Sequence, residues 1–235
     1  MKMLASLLRW ELLINARQGI WMAAVFVLVF WSIALSLVPA AAKVIVTAAL
    51  LFVEVGVFAL YLLPASYYLE KGQRILDGLI TTPLQPSLWL AAKTTIFMLQ
   101  AIVVSIVITL FALGWERVHW GWFLVAILLL ALPQLLFAFV VATRYHGISE
   151  FLFPSIPIMF LLQLPLLEYV NVLTGPFWWI FPTFPGLALL DLSLSGGGPE
   201  QPWLAALWGL IYGTVPVWFW AAHRLKVTAT RQAGT

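Results

Sequence analysis

The apolar run LLFVEVGVFAL holds a single carboxylate, Glu54. An acid at the middle of such a run costs roughly 2.5 to 3.5 kcal/mol in a bilayer, so something must offset it. Two readings are open: the carboxylate meets a cationic group of a bound molecule, or it is protonated or hydrogen-bonded and locks helices together. A second concentration of chemistry is EKGQRILDGLITTP, where Glu70, Lys71, Arg74 and Asp77 fall between two long apolar runs. Ile75, Leu76, Leu79 and Ile80 fall on one helical face, with Lys71, Arg74 and Asp77 on the other. The plainer reading is a solvated connector between spans.

Covalent chemistry has no residues to carry it. The chain has no cysteine, which removes disulfides, thiolate metal sites and a thiol nucleophile. It contains neither a Gly-x-Ser-x-Gly elbow nor a His-Glu-x-x-His helix. His119, His146 and His223 are scattered without ligand spacing, so no metal site is expected. No stretch has the Gly, four residues, Gly, Lys, Ser or Thr pattern that cradles phosphates, and none of the 15 glycines precedes a lysine. An enzyme is not expected.

The elements that position these residues follow from the solvent. Hydrophobic residues make up 63% of the chain and charged residues 9%, with a mean hydropathy of +1.03, the balance of an integral membrane protein. At roughly 20 residues per spanning helix, 235 residues allow about six spans and no separate soluble domain. The apolar runs give Ile20 to Val38, Val44 to Tyr67, Leu88 to Leu113, Trp120 to Thr143, Phe151 to Leu167 and Trp203 to Ala222. With the N-terminus inside, Lys2, Arg9, Arg17, Lys71, Arg74, Lys93, Arg144, Arg224, Lys226 and Arg231 lie in the cytoplasm, and only Lys43 and Arg117 lie outside. That asymmetry sets the orientation. The basic residues are scattered between spans instead of gathered on one face, which argues against nucleic acid.

Two further segments read as interfacial. In residues 1–19, Leu4, Leu7, Leu8 and Leu12 form a stripe with Arg9 and Arg17 off it, as in a helix lying on the inner leaflet. Residues 169–202 are apolar but broken by Pro176, Pro182 and Pro185, into pieces too short to span; re-entrant or interfacial helices on the outer side are expected. Pro154, Pro157 and Pro165 are expected to kink or break the fifth span. Gln100, Gln134 and Gln163 suit interhelical hydrogen bonds, and Trp115, Trp120, Trp122, Trp203 and Trp220 suit an aromatic belt. Between the second and third spans, Lys71, Arg74 and Asp77 lie opposite the apolar face of a short helix that stops before Pro83.

On these residues the chain resembles the membrane subunits of type-2 ATP-binding-cassette exporters. Those permeases carry, between their second and third spans, a Glu and a basic residue, then Leu-Glu-x-Leu and Thr-Pro-Leu. Here Glu70, Lys71, Leu76, Asp77, Leu79, Thr82, Pro83 and Leu84 match. Arg74 departs from a frequent Gly, and Asp77 replaces a frequent Glu with its charge kept. LEKGQ followed by TTPL, together with FWWIFPTFPGLALL, is most similar to the fluoroquinolone export permease subgroup, and the likeness runs the whole length.

The resemblance implies an all-α integral membrane fold in one permease domain, 1–235, with an interfacial helix at 1–19, a coupling helix at 70–83 and an outer re-entrant segment at 169–202. It implies that Glu70, Lys71, Arg74, Ile75, Leu76, Asp77, Leu79, Thr82 and Pro83 couple to a separate ATPase subunit. That partner would bind ATP and magnesium, leaving this chain without a cofactor. A second permease chain, identical or related, would complete the usual twelve spans. The implied cargo is a hydrophobic or amphipathic drug-like molecule, moved outward across the cytoplasmic membrane in multidrug efflux. Its path would involve Glu54, Phe58 and Phe30, with Glu54 facing the interface between two permeases. A lipid or polysaccharide exporter of the same family is the nearer alternative. An ion-coupled secondary transporter is the farther one, since one central carboxylate and no evident internal duplication fit it poorly.

Overall fold

In lipid a backbone must satisfy its own polar groups, so apolar runs of this length fold as helices. The computed structural model describes residues 2–73, 75 and 86–233, with side chains at 6–73, 75 and 87–224, and all regular structure among them is helical. In chain order the helices are α1 (Lys2–Arg17), α2 (Ile20–Ser36), α3 (Lys43–Gly72), α4 (Pro86–Leu113), α5 (Trp120–Ala142), α6 (Ile148–Gln163) and the single turn α7 (Leu166–Tyr169). After a 3-10 turn at Pro176–Ile180 come α8 (Phe184–Ser195), α9 (Pro202–Trp208), a π-helical stretch at Gly209–Thr214 and α10 (Val215–Ala233).

Five stretches have the length and apolarity of a span: Lys43–Gly72, Ser87–Leu113, Trp120–Ala142, Ile148–Tyr169 and Pro202–Arg224. The expected first span is α2, only 17 residues long, joined to α1 at a bend of 68°. Gly19 makes that bend with φ of 74°, a conformation that suits glycine because it lacks a Cβ. α1 leaves Leu12 of the expected stripe on the outside. It turns Glu11 and Asn15 into the protein and leaves Trp10, Leu12 and Leu13 exposed, which is the polarity expected of a helix whose outer surroundings are lipid.

α3, α4 and α5 form the centre. The 30 residues of α3 make it about 45 Å long, against an apolar layer of about 30 Å, so its last turns stand clear of the hydrocarbon. The expected re-entrant segment is not laid along the surface: α8 packs against both α5 and α3, and most of its side chains are buried. Twelve apolar residues are too few to cross but enough to fill a core. Close approach depends on Gly186, where a Cβ would stand 2.7 Å from Leu130 Cγ and 3.1 Å from the Leu130 backbone nitrogen. The π-helical stretch lies where the last span passes this insert: Gly209 abuts Pro185 and Leu129, and Gly213 abuts the Pro182 carbonyl. Pro216 follows immediately and cannot donate a helix hydrogen bond, which favours a shifted ladder just before it.

Two sequence expectations hold only in part. Pro154 and Pro157 sit inside an unbroken α6, and the break falls at Leu164 and Pro165, the start of α7. Of the three glutamines, Gln100 reaches another helix, donating from Nε2 to the Ile20 carbonyl at 3.5 Å. Gln134 donates within its own helix to Leu130 at 2.9 Å, while Gln163 packs its amide against Gly56, leaving both amide atoms without a hydrogen-bond partner.

The α8 to α5 contact gives a stability test. Gly186→Val should lower thermal stability by about 1–3 kcal/mol, because the added branch meets helix backbone as well as a movable side chain. Gly72→Ala, whose Cβ meets nothing within 4 Å, should be neutral within about 0.5 kcal/mol. Equal melting temperatures for both variants would mean that α8 is not wedged against α5.

Candidate functional site

The first charged cluster forms where three helices meet. Lys93 lies two turns into α4 and is fully buried. Its ammonium has three protons and three oxygen partners: Glu11 Oε2 from α1 at 2.9 Å, Ser66 Oγ from α3 at 2.9 Å, and a close ion pair with Glu70 Oε1 from α3. The Trp89 ring lies 5.2 Å from the ammonium, one turn back on α4. Ser66 and Glu70 are four residues apart and therefore share a face of α3; Ser66 Oγ also lies 3.4 Å from Glu70 Oε1. Two carboxylates around one ammonium leave a net negative charge if all three are ionised. Glu70 Oε2 is buried without a partner, as is the whole amide of Asn15, one turn beyond Glu11 on α1.

The placement of Glu70 corrects its expected role. α3 continues through Gly72, so Glu70 and Lys71 form its last turn and do not open a separate helix at 70. Glu70 is 1% exposed and paired with Lys93. Lys71 is on the outside, donating to the His146 carbonyl at 3.3 Å, and Ile75 is half-buried. Arg74, Leu76, Asp77, Leu79, Thr82 and Pro83 lie outside the described residues. Nearby, the Tyr68 hydroxyl donates to the Ala142 carbonyl at 2.8 Å, and His146 pairs with Glu150 at 3.5 Å. The stem of the 73–85 connection is thus tied to α1, α4 and the link between α5 and α6.

The expected cargo path is not assembled within one chain. Glu54 is 6% exposed, buried inside its own bundle and not presented on the outer surface where a second permease would meet it. Phe58, one turn on, lines a small closed gap with Phe97, Ala101 and Leu135. Phe30 is 53% exposed and lies 6.4 Å from Phe26 on the outer face of α2.

The sequence reading misses Lys93 and Glu11 as a site, although a signal for both is present. Lys93 falls inside the apolar run Leu88 to Leu113, where a charge implies a buried partner, and Glu11 is the lone acid of its amphipathic segment.

At the opposite end, α8, the 3-10 turn and α7 border an open cavity of about 610 Å³, lined by Glu168, Tyr169, Trp179, Phe184 and Asp191 among others. Among the described residues no group of three or more acids and histidines is placed to hold a metal ion.

Comparison with known proteins places this architecture. Residues 2–230 match the fluoroquinolones export permease protein family. A fluoroquinolones export permease protein of Mycobacterium tuberculosis (strain CDC 1551 / Oshkosh) is 26% identical over 198 residues, covering 83% of this chain and 82% of the relative. One from strain ATCC 25618 / H37Rv is similar to the same extent.

The ion cluster makes a sharp prediction. Lys93→Met leaves two buried carboxylates without their cation and should destabilise the protein by about 3–5 kcal/mol. Adding Glu11→Gln and Glu70→Gln to Lys93→Met should recover most of that loss, since no unpaired charge then remains. Thermal unfolding of the purified single and triple variants decides it. A triple variant as unstable as the single one would show that packing of the lysine stem, and not charge compensation, holds the three helices.

Proposed function

The chain belongs to the fluoroquinolones export permease protein family, and from that premise we propose that it is the membrane half of an ATP-driven exporter. It is a multi-pass export permease; the ATP dependence, the partners and the cargo are our reading. The observation that carries the reading is the family match over residues 2–230 in a chain whose sequence holds no phosphate-cradling pattern. On this reading the energy comes from another subunit. A transport subunit without nucleotide chemistry needs no cofactor of its own, with ATP and magnesium held by the partner.

Cytosolic contact falls to the connection between α3 and α4. Lys71, Arg144 and Arg224 lie at that end, and Lys43 and Arg117 at the other, so the basic-residue asymmetry supports placing it and both termini in the cytoplasm. The stem of the connection is rigid because Glu70 is clamped by Lys93, and a push delivered at 73–85 would reach α1, α3 and α4 together. Two such permeases and two ATPase subunits make the working assembly. The cargo we propose is an aromatic, amphipathic small molecule of the fluoroquinolone kind.

A chain without native cysteine makes the test direct. Photo-crosslinkers attached through Arg74→Cys or Asp77→Cys should capture an ATPase subunit in cells that express the whole transporter. Capture of only permease segments or lipid would defeat the coupling assignment.

A further inference from the structure

We propose that the cavity beneath the 3-10 turn is a binding site for an organic ammonium ion carrying a flat aromatic body. It lies at the end opposite Lys93, between α7, the 3-10 turn and α8, with Ile45 of α3 on its edge. Its volume of about 610 Å³ falls within the range of pockets that hold drug-sized ligands.

Aromatic rings and carboxylates share its wall. Trp179 and Phe184 meet edge to face, with centroids 5.1 Å apart, and both border the cavity with Tyr169. Asp191 on α8 accepts a hydrogen bond from Ser195 Oγ at 2.7 Å and borders the cavity together with Tyr169. Glu168 on α7 has its Oε2 shut from solvent without a hydrogen-bond partner. Neither acid has a cation within ion-pair distance among the described residues. The basic residues of this end are Lys43 and Arg117, against Glu116, Glu168, Asp191 and Glu200.

An uncompensated pair of carboxylates beside aromatic rings selects its ligand chemically. The acids attract positive charge, and the ring faces favour a weakly hydrated organic cation through their quadrupoles. A divalent metal instead requires six or more oxygen ligands in a compact shell, and much of this wall is ring and aliphatic surface. Ammonium groups come from two sources, an amphipathic amine and a phosphatidylethanolamine headgroup. The aromatic walls commit the site to the first. That this ligand is cargo about to leave rests on the exporter reading above; its binding does not.

The test uses the full chain alone, in phosphatidylglycerol nanodiscs, without ATPase or transport, so its failure would leave the exporter reading standing. Ethidium, a flat aromatic cation, should bind, and Asp191→Asn combined with Glu168→Gln should weaken its Kd by about tenfold or more. Binding of phenylphenanthridine, the uncharged ring system, should be unchanged by those substitutions and weakened by Trp179→Leu. Ethidium should also protect the thiol introduced by Ser195→Cys, at the cavity edge, from a methanethiosulfonate reagent; this second readout leaves both carboxylates in place. Unchanged ethidium affinity in the double variant, or no protection of the thiol, would overturn the proposal. So would calcium binding that the carboxylates control in place of ethidium binding, or complete displacement of ethidium by phosphatidylethanolamine in the nanodisc.

Discussion

The ammonium of Lys93, held between Glu11 and Glu70, is the contact around which one end of this protein is arranged. Each partner comes from a different helix, so satisfying one buried cation fixes α1, α3 and α4 relative to one another. The lysine cannot be exposed without moving a helix, because its side chain is fully enclosed. Breaking such a set costs several kcal/mol, while removing it entirely can be nearly neutral. Its value therefore lies in specifying an arrangement. α1 meets α2 at a sharp bend and turns Glu11 towards this partner, leaving Trp10, Leu12 and Leu13 exposed.

The opposite end is organised by packing. α8 is largely apolar and buries most of its side chains by wedging between α3 and α5, with Gly186 against Leu130. The last span then has to pass a filled space. It does so with two glycines and a π-helical stretch at the crossing. The chain on either side of α8, with its rings and its acids at 168 and 191, is left to border a cavity. A charged stem at one end and an acid-lined aromatic recess at the other fit the proposed reading, in which force arrives on one side of the membrane and cargo leaves on the other.

Much of this fold is legible in the sequence because the membrane makes it so: long apolar runs report spans directly, and α3, α4 and α5 fall where the runs place them. What is not legible is which way a side chain faces. Helices as apolar as α3 and α5 carry little periodic signal, so the burial of Glu54 within its own chain cannot be read from LLFVEVGVFAL. Glu70 reads as part of a docking motif because the motif is linear, whereas its partner lies 23 residues on. Lys93 is the instructive case: counted as a cytoplasmic cation, it stands inside an apolar run, and that discord is the physical sign of a buried ion pair.

The central claim is that this permease moves cargo with energy from a separate ATPase. Reconstitution into vesicles with and without that subunit tests it most directly, by following accumulation of a fluorescent fluoroquinolone in inside-out proteoliposomes. The account predicts uptake that requires both the ATPase subunit and hydrolysable ATP and that persists when ionophores collapse proton and sodium gradients. Uptake by the permease alone, driven by an imposed ion gradient without ATP, would contradict it.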